Sequence, residues 1–120
     1  MFFIGTDIVS LNKIKTMIND KGKHFLNKIF TSSEQLYCNS KKEPFIHYGG
    51  KFAAKESIKK ALLSSNKIER ISLKSINIIN NNKGAPTVEL INSKLFYKDL
   101  KISISHTNEF AIAMALINFQ

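Results

Sequence analysis

Lys51-Phe-Ala-Ala-Lys-Glu-Ser-Ile-Lys-Lys-Ala-Leu62 is a run of strong helix formers holding four lysines and a single acid, Glu56. It predicts the longest helix of the chain, from about Phe45 to Leu63, and everything else must pack around it. Gly49-Gly50 is the weak point of that helix, tolerable where another backbone or a ligand has to approach closely.

Upstream, Phe2 to Val9 reads as a buried strand, apolar but for Thr6 and Asp7 near its end. Ser10 is placed to cap an amphipathic helix carrying Leu11, Ile14, Met17 and Ile18. Gly22 breaks that helix, and a short one with Phe25, Leu26 and Ile29 follows. Thr31-Ser-Ser-Glu34 is a capping-box pattern opening a helix that runs through Leu36 and Tyr37 into the turn Ser40-Lys-Lys-Glu-Pro44. Downstream of the long helix, Ser64 to Lys67 is a polar loop. Ile71 to Ile79 alternates with one slip, as a half-buried strand carrying a bulge would. Asn80-Asn-Asn-Lys-Gly84-Ala-Pro86 signals a hairpin turn, and Val88 to Ile91 pairs back as a strand. Leu100 to Ser105 and Phe110 to Phe119 make a last strand pair across His106-Thr-Asn-Glu109. The order β-α-α-α-β-β-β-β predicts a single α+β domain, residues 1–120, with an antiparallel sheet packed around the long helix.

Eighteen basic residues against nine acidic ones give a net charge of +9. Such a surface attracts polyanions, whether nucleic acid, anionic lipid, a phosphorylated metabolite or an acidic protein. The abundance of Lys, Asn and Ile supplies a compositional origin for part of the excess. No apolar run reaches the roughly 20 residues of a membrane helix, and the start MFFIGTDIVS lacks the basic leader and cleavage site of a signal peptide. The lone Cys38 cannot form an internal disulfide and has no ligand cluster beside it, so it reads as structural and a cytoplasmic protein is expected.

Three polar residues stand where packing alone would not ask for them. Asp7 ends an apolar strand, Glu56 lies in the long helix with Lys60 one turn on, and His106 follows a strand within Ser105-His-Thr107. Each has a structural reading. Asp7 could accept from the first amides of the next helix, Glu56 and Lys60 have the favoured i, i+4 order of an exposed salt bridge, and a lone turn histidine is commonly a surface or capping residue. Each also has a chemical one. Asp7 and Glu56 could share a hard cation such as Mg²⁺, which takes one or two carboxylates, keeps water and binds phosphate oxygens with the rest. Lys60 would then face the same phosphates. Zinc would want more His or Cys ligands than the chain places together.

Gly5-Thr-Asp-Ile-Val9, Phe52-Ala-Ala-Lys-Glu-Ser57 with Lys60 and Ala61, Gly84-Ala-Pro86 and Ile104-Ser-His-Thr107 occur in order and at matching separations. Over nearly the whole chain they resemble bacterial holo-(acyl-carrier-protein) synthase, the small 4′-phosphopantetheinyl transferase. The resemblance implies the 4′-phosphopantetheinyl transferase fold and a reaction used in fatty acid biosynthesis. Coenzyme A gives its phosphopantetheine arm to a serine of apo acyl carrier protein, leaving adenosine 3′,5′-bisphosphate. It implies Asp7 and Glu56 as Mg²⁺ ligands, with the coenzyme A diphosphate and waters completing the shell. Glu56, Lys60 and His106 are the implied catalytic residues, with either Glu56 or a water on the metal taking the serine proton. Lys51, Phe52, Lys60, Ser64, Pro86 and His106 are the implied coenzyme contacts. Lys13 falls in the helix that docks the acidic carrier, where an arginine is common. Members of the family are typically homotrimers with each site in a cleft between subunits, and neither a nucleic acid nor a membrane is an implied partner.

The chain departs from the family pattern at four places. Leu63-Ser64-Ser65 stands where a Gly-Thr-Gly turn usually approaches the coenzyme, so close backbone approach is lost there. Lys51 and Lys13 replace arginines and keep the charge without the bidentate fork. Gly84-Ala85-Pro86 lacks the lysine of the usual Gly-Lys-Pro. A modified coenzyme pocket is therefore expected, with the metal ligands, Lys60 and His106 intact. Two other readings compete. One is a non-catalytic relative that binds coenzyme A or the carrier. The other is a small basic nucleic-acid-binding protein, for which Asp7 and Glu56 would have no purpose and which would want aromatics interleaved with lysines.

Overall fold

The computed structural model describes residues 1–119. From the N-terminus, β1 (Phe2–Ser10) turns directly into α1 (Leu11–Ile29), because the Ser10 hydroxyl oxygen accepts from the Lys13 amide at 3.3 Å. Gly22, at φ 52°, kinks α1 into the two segments expected. The reciprocal Thr31–Glu34 capping box opens α2 (Ser32–Asn39). Pro44 occupies the first turn of α3 (Pro44–Ser64), where its missing amide hydrogen is not needed. The strands β2 (Ile76–Asn80), β3 (Pro86–Leu90), β4 (Asp99–His106) and β5 (Phe110–Asn118) complete the chain. Among the described residues no helix is long and apolar enough to cross a membrane.

The strands divide into two antiparallel sheets rather than one. Three strands pair in the order β1-β5-β4, with Phe2 opposite Asn118 and Ser10 opposite Phe110 in the first pair. β2 and β3 form a separate two-stranded ribbon, from Ile76 opposite Leu90 to Asn80 opposite Pro86. The slip in the Ile71–Ile79 alternation is not a bulge. A 3₁₀ turn at Leu73–Ser75 absorbs it, and the strand begins only at Ile76. Alternation by itself cannot tell the two apart, since both shift the face of one residue.

α3 lies across the inner face of the three-stranded sheet. Ala53, Ala54, Ile58, Ala61 and Leu62 are buried with Ile76, Ile78, Ala113, Ala115 and Ile117. Small residues on both sides let helix and sheet approach closely. The approach is tightest at Gly5, where a Cβ would lie 1.9 Å from the Ser57 carbonyl oxygen and 2.8 Å from the Ala61 nitrogen. Gly49 plays the same part against α1, since a Cβ there would meet Leu11 Cδ2 at 2.4 Å. A second apolar cluster, Ile14, Phe25, Phe30, Cys38 and Tyr48, fills the space between α1, α2 and the start of α3. Cys38 is a buried free thiol there, as expected, and burial pushes its pKa up to about 12.

One charged pair runs through this interior. Glu34 and Lys55 are both fully buried and ion-paired. Glu34 also accepts the Thr31 amide at 2.8 Å and the Ile78 amide at 2.7 Å. Lys55 Nζ also donates to the carbonyls of Ile29 (2.8 Å) and Leu73 (3.1 Å). One turn earlier on α3, Lys51 Nζ donates to the Ile78 carbonyl at 3.1 Å. Two side chains of neighbouring helices thus satisfy the backbone of β2 on the edge away from β3, which stitches the small ribbon to the helices.

Candidate active site

The Gly5–Ser57 contact presses β1 onto α3, and Asp7 lies two residues along the same face of the strand. Lys60 reaches it from the helix. Its Nζ donates to the Thr6 carbonyl at 2.9 Å and to Asp7 Oδ1 at 3.1 Å. The i, i+4 Glu56–Lys60 bridge considered from the sequence is therefore replaced by a cross-element pair, because β1 offers Lys60 a carbonyl and a carboxylate together. The capping role considered for Asp7 is also taken elsewhere. Ser10 caps α1, and the Leu11 amide donates to the Glu109 carbonyl at 2.9 Å. Lys60 is 54% exposed and Asp7 16%, so the pair is a weak one that another ligand can exchange. Glu56, half-buried one helical turn before Lys60, forms no ion pair among the described residues.

An open cavity of about 480 Å³ lies here, lined by Asp7, Lys60, Ser103 and Ser105 together with the apolar Ile8 and Met114. Among the described residues no group of three or more His, Cys, Asp or Glu forms a closed metal cage. The donor set instead fits a hard cation that draws its remaining ligands from outside the protein. Asp7, loosely paired to Lys60, lines the cavity beside that lysine, whereas Glu56 stands one helical turn earlier on α3, outside the cavity lining and in no ion pair among the described residues.

A second cavity, about 220 Å³, is walled by Tyr37, His47, Lys51, Pro86, Ile104 and His106. Lys51 is nearly buried, and its Nζ donates to Asn80 Oδ1 at 2.6 Å as well as to Ile78, while standing 4.6 Å from the Tyr37 ring centre. Burial holds this ammonium below the ordinary lysine range. His47 packs edge-on to Tyr37 with ring centres 5.9 Å apart. Burial first, then the charges of Lys41, His106 and Lys51, hold its imidazole below the usual histidine value. His106 is exposed at the end of β4, with Nδ1 3.2 Å from the Thr107 carbonyl. Several cationic or protonatable groups thus converge on one cleft beside an aromatic ring, an environment suited to an anionic ligand with a flat base.

The residues singled out from the sequence fall in different places. Asp7 and Lys60 line the first cavity, while Lys51, Pro86 and His106 line the second. Phe52 packs instead against the apolar cluster around Phe30 and Tyr48. Ser64 sits at the C-terminal end of α3, its hydroxyl donating to the Ala61 carbonyl at 2.9 Å. Lys13 is exposed in the first turn of α1. Tyr37, His47 and Asn80 were not anticipated. They lie in segments read only as helix or turn, and nothing local signals that these segments meet.

Comparison with known proteins agrees with this architecture. Residues 3–115 match the model of the 4′-phosphopantetheinyl transferase superfamily. The holo-(acyl-carrier-protein) synthase of Protochlamydia amoebophila is 40% identical over 116 residues, covering 94% of each chain. That of Chlorobaculum parvum is 41% identical over 114 residues, covering 95% of this chain and 96% of its own. The structure of Helicobacter pylori holo-(acyl-carrier-protein) synthase in complex with coenzyme A superposes with a TM-score of 0.81 at 32% identity, covering 96% of this chain and 99% of that one. The fold, the paired cavities and these similarities converge: the chain belongs to the 4′-phosphopantetheinyl transferase superfamily.

Proposed function

We propose that this chain transfers the 4′-phosphopantetheine arm of coenzyme A to a serine hydroxyl of apo acyl carrier protein. The serine oxygen bonds to the phosphorus that bears the pantetheine arm. The bond from that phosphorus to the bridging oxygen breaks, and adenosine 3′,5′-bisphosphate leaves while the serine proton passes to a base. The observation that carries the proposal is the exchangeable Asp7–Lys60 pair lining the open cavity. Relatives named as holo-(acyl-carrier-protein) synthases, and the coenzyme A held by the Helicobacter pylori protein, support it.

Phosphoryl-type transfer depends on positioning and charge neutralisation more than on covalent help from the protein. Bound Mg²⁺ supplies Lewis-acid polarisation and a template for the diphosphate, and Asp7 and Glu56 would hold it. Lys60, released from Asp7, donates to the phosphate oxygens and offsets the charge that gathers on the leaving group. Glu56, with no cation paired to it, retains the capacity to accept the serine proton. The second cavity takes the nucleotide end of the coenzyme, with His106, His47 and Lys51 facing its charge. Lys13 and the other lysines of α1 meet the acidic carrier, so transfer should weaken as salt rises. These substrates belong to the cytoplasm, the compartment proposed, and residues 1–120 act as one transferase domain.

The outer face of the three-stranded sheet supports assembly. Ile8 is 65% exposed, Ile4 61%, Ile112 48% and Met114 47%, and this face runs into the cavity holding Asp7. An apolar sheet surface continuous with the site calls for a cover, and a homotrimer with sites between subunits provides one. Ile112→Glu should convert the assembly to monomers in sedimentation velocity and lose transfer with it. A monodisperse, fully active monomer before mutation would exclude the trimer.

The transfer itself is tested by incubating the protein with apo acyl carrier protein, coenzyme A and magnesium, then measuring the intact mass of the carrier. A gain equal to phosphopantetheine, abolished by chelation, is expected. An unchanged carrier at stoichiometric enzyme would overturn the proposal.

A further inference from the structure

The cavity that takes the nucleotide has two walls from different parts of the fold. α3 supplies Lys51, and the turn between β2 and β3 supplies Gly84 and Pro86. That turn ends a ribbon of two strands, which among the described residues pairs with no third strand. Its internal shape is set by Asn81. The Asn81 amide donates to the Ala85 carbonyl and the Gly84 amide to the Asn81 carbonyl, both at 2.9 Å. Asn81 Oδ1 accepts the amides of Lys83 (2.9 Å) and Ala85 (3.0 Å). None of these bonds fixes where the turn stands relative to α3.

Asn80 supplies that link. Its Oδ1 accepts from Lys51 Nζ at 2.6 Å, and its Nδ2 donates to the Gly84 carbonyl at 3.0 Å. The orientation of the amide follows from its partners, because an ammonium only donates and a carbonyl only accepts. Lys51 is itself held, by the Ile78 carbonyl and the Tyr37 ring. The path Tyr37/Ile78–Lys51–Asn80–Gly84 therefore spans from one wall of the cavity to the other. We infer that Asn80 is a positioning residue for the coenzyme, a strut that sets the width of the nucleotide cleft by tying the Gly84–Pro86 turn to Lys51. The inference rests on the coenzyme reading proposed above. A side chain that both accepts and donates is required, so neither aspartate nor alanine can replace it.

Calorimetric titration of wild type, Asn80→Ala and Asn80→Asp with coenzyme A and with adenosine 3′,5′-bisphosphate tests it, alongside steady-state kinetics. Asn80→Ala should weaken both ligands and raise the KM for coenzyme A by about five- to tenfold. kcat, the KM for the carrier and the melting temperature should stay near wild type, since the turn keeps its own bonds. Asn80→Asp retains the acceptor for Lys51 but loses the donor to Gly84, and should lose at least as much affinity. Wild-type affinity in either variant overturns the strut. So does a parallel fall in kcat and melting temperature, which would mark a folding role only. If wild type itself binds neither ligand, the coenzyme reading fails and the strut with it, a result visible before any variant is compared.

Discussion

Glu56→Gln is expected to lower kcat/KM for phosphopantetheine transfer by roughly 10³-fold, several kcal/mol of transition-state stabilisation. The melting temperature should move by less than about 3 °C. Glutamine keeps the shape and helix preference of the residue but removes the charge that a hard cation requires. Nothing in the fold depends on that charge, because Glu56 is half-buried and forms no ion pair among the described residues. Asp7→Asn should approach the same loss by another route. It removes the second carboxylate and frees Lys60, whose exposure lets water replace the lost partner at little cost to stability. Both variants should bind Mg²⁺ more weakly in a titration followed by transfer rate. Activity within tenfold of wild type in Glu56→Gln would remove that residue from the site.

Lys55→Met is expected to have the opposite profile, damaging the fold first. Removing one partner of a fully buried ion pair costs about 3–5 kcal/mol, against a total stability of about 5–15 kcal/mol for a domain. Urea denaturation should show the midpoint falling accordingly. The Glu34 carboxylate would be left buried without its cation, and the Ile29 and Leu73 carbonyls would lose a donor. Removing both charges with Glu34→Leu and Lys55→Met should not restore the midpoint, because the Thr31 and Ile78 amides would then lack an acceptor. A wild-type midpoint in Lys55→Met would show that the pair does not hold the interior together. Lys55 also precedes Glu56. Successive residues of a helix point about 100° apart, so anchoring Lys55 inward fixes how α3 presents Glu56 at its edge.

These two neighbours show how far the sequence could be read. Helix start signals are local, so Ser10 and the Thr31–Glu34 capping box were recognisable and stand where expected, while Pro44, read as the end of a turn, opens α3 instead. Lys55 was not. A buried lysine looks like any other lysine in a helix-forming run, and only the carboxylate and carbonyls brought to it by α2, α1 and the Leu73 turn make its burial affordable. The same blindness applied to Lys60. Spacing along the helix offered Glu56 as its partner, whereas the chain folds Asp7 and the Thr6 carbonyl nearer to it. It applied to the nucleotide cleft as well, where Tyr37 of α2 and Asn80 of β2 meet Lys51 and His47 of α3.

What the sequence alone determined was the order and kind of the elements, the long helix at the centre, the family likeness and the residue types able to hold a cation and a phosphate. Those rest on periodicity, capping and motif spacing, which are properties of near neighbours along the chain. The tertiary structure decided that the strands form two sheets, that Lys60 faces Asp7 and Lys55 faces Glu34, and that a two-stranded ribbon closes one side of a cleft. Such pairings depend on contacts between residues far apart in the chain, from Lys55 and Leu73, 18 positions apart, to Thr6 and Lys60, 54 apart. They exist only once burial has brought those residues together.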